Sequence, residues 1–138
     1  MANSKTMWGM HMELHHEMKA VEQGFLSVGW EALGDLSKIA PTREAFKKTF
    51  ATHFPTNKPG AIPVRAGILY RFAVEMTRGD YVVYPSKPDR MINLGIIDGE
   101  YHYDPNADPK SHHRRKVKWL RSPPGIFRSG NPFPIETY

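Results

Sequence analysis

The residues of this sequence with the clearest chemical potential are aromatic and basic. Aromatic rings stack on nucleobases or enclose an unstacked base, while arginine and lysine side chains bind phosphates. Trp8 and Trp30 stand beside glycines at the ends of predicted strands, where pockets form. Phe72 falls on the apolar stripe of a predicted helix and is expected in the core. Tyr81 and Tyr84 fall on opposite faces of one predicted strand, so at most one of them is core.

A short polar turn follows Trp30 and contains Asp35 and Ser37. A carboxylate or hydroxyl at such a position can read the hydrogen-bonding edge of a base. The alternative is a turn aspartate that bonds its own backbone, which is the commoner role of this residue type in turns. The sequence leaves both interpretations open.

Metal chemistry has little support in the pattern of the seven histidines. His11 and His15 are four residues apart, and two adjacent histidine pairs occur, but the chain has no HExxH motif and no cysteine. Adjacent histidines on a strand point to opposite sides, so they make poor joint ligands. We therefore expect no resident metal and no cofactor.

One enzymatic hypothesis remains as an alternative. Magnesium-dependent nucleases place an acid after proline and then an acid-x-lysine on the next strand. Pro88-Asp89 and the later Glu100-Tyr101-His102 follow this arrangement in part, with His102 where lysine is required. If the chain is a nuclease, Asp89 and Glu100 are the expected Mg²⁺ ligands.

The positive charge of the chain is concentrated near its end. The net charge is +5, yet residues 1–109 hold twelve Lys/Arg and thirteen Asp/Glu, whereas residues 110–138 hold seven Lys/Arg and one acid. Localised positive charge suits a polyanion partner, because phosphates neutralised by the protein release their counterions. A solvated face or a basic linker is the alternative reading of the same charge.

The composition is that of a folded chain of 138 residues with 40% apolar residues. With no cysteine, disulfides and thiolate metal sites are excluded. No apolar run approaches the ~20 residues that span a bilayer, and residues 1–12 lack the apolar core of a signal peptide. We expect a cytoplasmic location.

Periodicity and turn residues give the elements that must position these side chains. The phenylalanines at 46, 50 and 54 recur on one helical face after a Pro-Thr start, and a second helix is predicted from about Pro63. Strands are predicted at 7–12, 25–30, 81–84 (stopped by proline), 91–97, 101–103 and 116–120, with Asp98-Gly99 as a turn. This order predicts an α+β fold: a curved, mostly antiparallel sheet or a small β-barrel with two flanking helices.

An ordered series of motifs resembles a known family over residues 7–121. The resemblance is to the N-terminal domain of predicted Mrr-type, modification-dependent restriction endonucleases, a domain similar to the EVE, YTH and PUA-like group. It rests on Gly29-Trp30 with Gly34-Asp35-Leu36-Ser37, Arg43-Glu44, Gly67-x-Leu69-x-Arg71-Phe72, Gly79-Asp80-Tyr81-Val82-Val83, Leu94-Gly95-Ile96-Ile97-x-Gly99-x-Tyr101-x-Tyr103 and His113-Arg114-Arg115-Lys116-Val117-x-Trp119-Leu120.

The resemblance implies a DNA-binding module that flips a modified base into an aromatic pocket. From position, we expect a pocket lined by Trp30, Asp35 and Ser37 of the matching segments. Trp8 of the first strand and Tyr84 and Ser86, just past the Gly-Asp strand, are expected to complete it. We expect the nucleic-acid backbone to be bound by Lys58, Lys87, Arg90, Arg114, Arg115, Lys116 and Lys118.

The resemblance also implies a division of the chain. Residues 1–121 are expected to form the reader domain, and residues 122–138 a linker or the start of a C-terminal nuclease domain. The expected partner is modified double-stranded DNA. An RNA-binding PUA-like domain is the main alternative, followed by the nuclease hypothesis and by a protein-interaction module with a basic linker.

Overall fold

The computed structural model describes residues 5–12 and 17–120. A strand, a helix and a second strand are followed by two further helices, and three strands make up the rest. The strands are β1 (Met7–Gly9), β2 (Phe25–Val28), β3 (Tyr81–Ser86), β4 (Met91–Tyr103) and β5 (His113–Trp119). The helices are α1 (Glu17–Gln23), α2 (Arg43–His53) and α3 (Ala61–Tyr70), with 3₁₀ turns at Glu31–Leu33 and Leu36–Lys38 and a π turn at Arg71–Glu75.

The five strands form one open sheet in the order β1-β3-β4-β5-β2. β1 pairs with β3 in parallel, and β3 pairs with β4 antiparallel. The Leu120 amide donates to the Leu94 carbonyl and the Asp104 amide to the His112 carbonyl, which makes β4 and β5 a long hairpin. The predicted α+β class with a mostly antiparallel sheet is confirmed. The sheet is open rather than a closed barrel, and α1 adds a third helix to the two predicted.

Both predicted strand breaks are wrong, for reasons that lie outside the local sequence. β3 runs through Pro85, which pairs opposite Ile92, because β1 extends only to the level of Val83 and leaves β3 with one neighbour there. β4 passes without a turn through Asp98 and Gly99. A Cβ at Gly99 would lie 3.0 Å from the Cβ of Lys116, so this glycine permits close approach of β5.

The phenylalanine helix is confirmed. The Thr42 hydroxyl accepts a hydrogen bond from the Ala45 amide at 3.1 Å and caps α2. Phe46 and Phe50 are buried, and Phe54 stands at the C-terminal cap. The second helix begins at Ala61, two residues before the predicted start.

The described chain packs as two compact units. Unit 1 comprises residues up to Leu26, Arg78–Gly99 and residues from Arg115 onward, and unit 2 comprises Ser27–Thr77 and Glu100–Arg114. The core of unit 1 includes Leu26, Val82, Tyr84, Ile97 and Val117, and the core of unit 2 includes Leu36, Phe46, Phe50, Leu69 and Phe72. The segment 122–138, predicted as a linker, lies outside the described residues.

Candidate functional site

Trp30 in unit 2 has an unusual backbone conformation. It follows β2 with φ 65° and ψ 47°, the left-handed region that a bulky residue rarely adopts. Such a conformation costs about 1–3 kcal/mol and persists only where the surroundings hold it. The indole is half-buried and lies edge-on to Phe50, with ring centroids 6.0 Å apart.

A relay of hydrogen bonds holds this conformation. His113 Nε2 lies 3.1 Å from the Trp30 carbonyl, and His113 Nδ1 lies 2.7 Å from the Tyr101 hydroxyl. The Leu36 amide donates to the same hydroxyl at 3.0 Å. Because an amide only donates and a carbonyl only accepts, the Tyr101 hydroxyl donates to Nδ1 and the His113 proton sits on Nε2. The relay thus fastens both ends of the Trp30–Leu36 segment.

The relay is electrically neutral near pH 7. Burial lowers the pKa of His113, and the neighbouring His112 lowers it further; the Trp30 carbonyl and the carboxylates of Glu31 and Asp35 act in the opposite direction. Burial likewise raises the pKa of the Tyr101 hydroxyl above its ordinary value. A neutral imidazole can accept at one nitrogen and donate at the other, which is the arrangement the relay requires.

Asp35 caps the 3₁₀ turn Leu36–Lys38, which begins at the end of this segment. Its Oδ1 accepts from the Ser37 amide at 3.0 Å and from the Ser37 hydroxyl at 2.7 Å. The Ser37 hydroxyl is the main reason that the pKa of Asp35 is lowered. Within residues 5–12 and 17–120, no group donates to the other carboxylate oxygen, Oδ2. The turn-capping role is therefore present, and it leaves one charged acceptor atom unused.

The remaining three residues of the predicted pocket belong to unit 1. Trp8 is half-buried on β1, and its indole Nε1 donates to Asp80 Oδ2 at 3.0 Å. Tyr84 is fully buried beside Trp119, with ring centroids 6.1 Å apart. Ser86 is 2% exposed, and its hydroxyl donates to the Asp89 carboxylate. Tyr84 thus packs in the interior and presents no surface to a flipped base, whereas Ser86, although 2% exposed, borders an open hollow of unit 1.

The β3–β4 turn of unit 1 brings two of the predicted phosphate contacts together. Lys87 and Arg90 are exposed and line an open hollow of about 310 Å³, together with Pro85 and Ser86. Arg90 has φ 58°, and Asp89 closes the turn by accepting from the Met91 amide at 3.1 Å. The hollow therefore has a cationic rim.

The other predicted phosphate contacts differ in exposure. Lys58, Lys116 and Lys118 are exposed. Arg114 is half-buried and donates to the Ser111 carbonyl at 2.8 Å. Arg115 differs from the prediction that it binds the nucleic-acid backbone. Its side chain is 2% exposed, and its guanidinium donates to the Gly99 carbonyl at 2.9 Å inside unit 1. A phosphate cannot reach it in this structure.

The nuclease alternative gains no support from the geometry. Asp89 Oδ1 is engaged by Ser86 and by the Met91 amide, and Glu100 lies exposed on β4. Across the described segments 5–12 and 17–120, no three histidine or acidic side chains are grouped so that they could hold a metal ion.

None of the helices in the described segments has the length and apolar character that a membrane span requires.

A family model described as a domain of unknown function (DUF8426) matches residues 5–129. The chain belongs to the DUF8426 family. No curated protein and no solved structure matches it.

In this DUF8426 domain, the relay residues Tyr101 and His113 are the functional candidates that sequence reasoning missed. A signal was available, since Tyr101 lies on a predicted strand and His113 lies just before the next one. Alternation through His113, Arg115 and Val117 would also have placed the three on one buried face. The predicted strand began only at Lys116 and therefore did not include His113 and Arg115.

Proposed function

We propose that this domain binds DNA and reads an extruded, modified base at the segment Trp30–Ser37 of unit 2. The observation that carries the proposal is the half-exposed Trp30, held in a left-handed conformation by a buried neutral relay and followed by a carboxylate with an unused oxygen. Strain retained at an aromatic residue on the surface is typical of a ligand site.

The chemistry of the segment favours a base with an amino group at its edge. The lowered pKa of Asp35 keeps the carboxylate ionised at neutral pH, so that it only accepts hydrogen bonds. Cytosine N4 and adenine N6 carry the matching donors. Extrusion of a base costs a few kcal/mol, and stacking on a ring such as Trp30 returns about 1–3 kcal/mol per base.

Exposed cations of both units supply the sequence-independent part of the binding. In unit 1 these are Lys87 and Arg90 at the hollow and Lys116 and Lys118 on β5, and in unit 2 Lys58 follows α2. Each phosphate contact releases counterions and steepens the salt dependence of the affinity. The resemblance to Mrr-type N-terminal domains supports DNA over RNA, and supports a role as the reader module of a cytoplasmic, modification-dependent restriction endonuclease.

The test is competition binding measured by fluorescence anisotropy. The ligands are unmodified duplex DNA, duplexes with methylated or hydroxymethylated cytosine or N6-methyladenine, and structured RNA. We expect one modified duplex to bind at least about tenfold more tightly than unmodified DNA, as one added stacking and edge contact implies. Preference for RNA would favour the PUA-like alternative, and no binding to any of them would refute the proposal.

Trp30→Ala addresses the site itself. We expect this variant to lose the preference for the modified duplex while it keeps most of its affinity for unmodified DNA, because the phosphate contacts remain. Trp30→Phe, which keeps a stacking ring, is the matched control and should keep part of the preference. An equal loss on all duplexes would assign Trp30 a purely structural role.

A further inference from the structure

Two arginine head groups, neither among the residues predicted to bind nucleic acid, converge on one glycine of α3. A methyl group placed on the Cα of Gly67 would lie 3.3 Å from Nη1 of Arg71 and 3.6 Å from Nη1 of Arg43. Gly67 is buried, because these two side chains cover it. We call Arg43 and Arg71 the arginine pair.

One member of the arginine pair is held in place on two sides. Arg43 Nη2 donates to Glu75 Oε1 at 2.9 Å, and the Arg43 guanidinium lies over the Tyr70 ring, 4.9 Å from its centroid. The side chain nevertheless remains 49% exposed, and that of Glu75 39% exposed. A planar cation fixed in this way keeps its remaining N–H groups directed in a constant orientation.

The second member, Arg71, differs from Arg43 in its surroundings. Within residues 5–12 and 17–120, no carboxylate pairs with Arg71, whose side chain is half-buried. Two guanidinium groups and one carboxylate leave the cluster with one excess positive charge. Like charges brought together repel, so a site of this kind gains most when an anion bridges both groups.

The backbone at this point is also irregular. The Met76 amide donates to the Arg71 carbonyl, five residues back, at 2.8 Å, which makes Arg71–Glu75 a π turn at the end of α3. Such turns are rare in proteins overall, and those that occur are often found at functional sites. Here the turn contains both Arg71 and the Glu75 that orients Arg43.

We propose that the arginine pair is an oxyanion site that takes a phosphate group, and that in the complex this is a phosphodiester of the bound nucleic acid. The planar fork of arginine matches phosphate oxygens in a bidentate manner, which lysine does not. Arg43 is the first residue of α2, whose N-terminal amides add positive potential. The identification of the phosphate carrier rests on the proposed function, whereas the oxyanion site does not.

Packing connects this site to the proposed base site within unit 2. Trp30 contacts Phe50, and Phe46, one turn earlier on α2, lies edge-on to Tyr70 with ring centroids 5.4 Å apart. Tyr70 in turn carries Arg43. Phe46 and Phe50, one turn apart on α2, therefore each pack against one of the two sites, so that the same helix supports both.

The first experiment uses pyrophosphate as a probe in an NMR titration of the whole chain. We expect saturable shifts of the Tyr70 ring and of the Arg43 and Arg71 side-chain signals. Arg71→Ala should weaken the binding at least tenfold, and Arg71→Lys should restore part of it. Lys48→Ala is the matched control, because it removes an exposed charge from the same unit without touching the arginine pair. Equal weakening by Lys48→Ala, or no saturable shift, would overturn the site.

The second experiment measures the salt dependence of duplex DNA binding. Arg71→Ala should reduce the slope of log affinity against log salt by about one unit, as expected for one lost phosphate contact. Glu75→Gln should increase DNA affinity several-fold, because it removes the competing charge and keeps an amide oxygen for Arg43. If the alanine variant does not fold, Arg71→Gln replaces it, because glutamine keeps the three methylene-chain carbon positions of arginine and removes the charge.

The outcomes separate this inference from the proposed function. If DNA binds with an unchanged slope in the Arg71 variants, the phosphodiester assignment is refuted while the proposed function stands. If no nucleic acid binds but pyrophosphate still saturates the arginine pair, the proposed function fails and the oxyanion site stands.

Discussion

The segment Trp30–Ser37 and the β3–β4 turn hold their candidate functional side chains in opposite ways. The first fixes a ring and a carboxylate through buried, uncharged hydrogen bonds to His113 and Tyr101. The second leaves Lys87 and Arg90 in solvent around an open hollow. Directional contacts of the first kind suit discrimination between bases, whereas exposed charges of the second kind suit affinity for any phosphate chain.

The two regions also differ in how they hold a left-handed residue. Trp30 is held by a hydrogen bond to its own carbonyl from a histidine far away in the sequence. Arg90 stands in a four-residue turn whose geometry is set locally by Asp89. The comparison predicts that mutations in the first region change stability and discrimination together, and that mutations in the second change mainly the salt dependence.

The largest effect is expected for His113→Ala. His113 is fully buried, so the change leaves a cavity and removes the bonds to Trp30 and Tyr101. We expect the free energy of unfolding to fall by about 3 kcal/mol, measured by urea denaturation. Lys116→Ala, at an exposed position of the same strand, should change it by no more than about 0.5 kcal/mol. A similar small change in both variants would show that the relay is not what holds this region.

The next effect is a pH dependence of stability. Burial holds the pKa of folded His113 below the 6.5 of the unfolded chain. As pH falls below about 6.5, the unfolded chain gains a proton that the folded chain resists, so stability is full above this pH and is lost below it, by at most about 1.4 kcal/mol per pH unit. Asp35, with an unfolded pKa of 3.8 lowered by folding, contributes a loss only at more acidic pH.

The measurement is urea denaturation from pH 8 to pH 5 for the wild type and for His113→Gln. The free energy of unfolding of the variant should not show the decline between pH 6.5 and pH 5 that is expected for the wild type. A parallel decline in both proteins would place the titration elsewhere.

Local sequence information was sufficient for the parts of the fold that local physics decides. The helix α2 follows from three phenylalanines at four-residue spacing and from the Thr42 cap, both of which act within a few residues. The turn at Asp35 and Ser37 was placed correctly for the same reason. Their side-chain bonds span only two residues.

Non-local contacts decided the rest. Whether Pro85 ends a strand depends on how far β1 extends beside it, and whether Asp98-Gly99 turns depends on the approach of β5 at Lys116. Counting positive charges could not show that Arg115 faces inward to the Gly99 carbonyl. Likewise, the position of Tyr84 beside Trp119 follows from sheet order and not from strand periodicity.

A smaller effect tests the strain at Trp30 directly. Glycine adopts the left-handed region without the steric penalty that alanine meets. We therefore expect Trp30→Gly to be more stable than Trp30→Ala by about 1 kcal/mol, although both lose the indole. Thermal and urea unfolding of the two variants provide the comparison. Equal stability, or a more stable alanine variant, would mean that the residue relaxes out of the left-handed region once the ring is gone.

The smallest effect on stability is expected at Arg90, and it separates the two regions. Arg90→Gly relieves the positive φ of the turn and should raise the free energy of unfolding by about 0.5 kcal/mol. The same change removes one exposed cation, so the salt slope of DNA binding should fall by about one unit while the preference for a modified duplex is retained. Trp30→Ala should give the reverse pattern, with the slope kept and the preference lost. If Arg90→Gly instead reduced the preference, the β3–β4 turn would take part in base reading, and the division between discriminating and charge-binding regions would not hold.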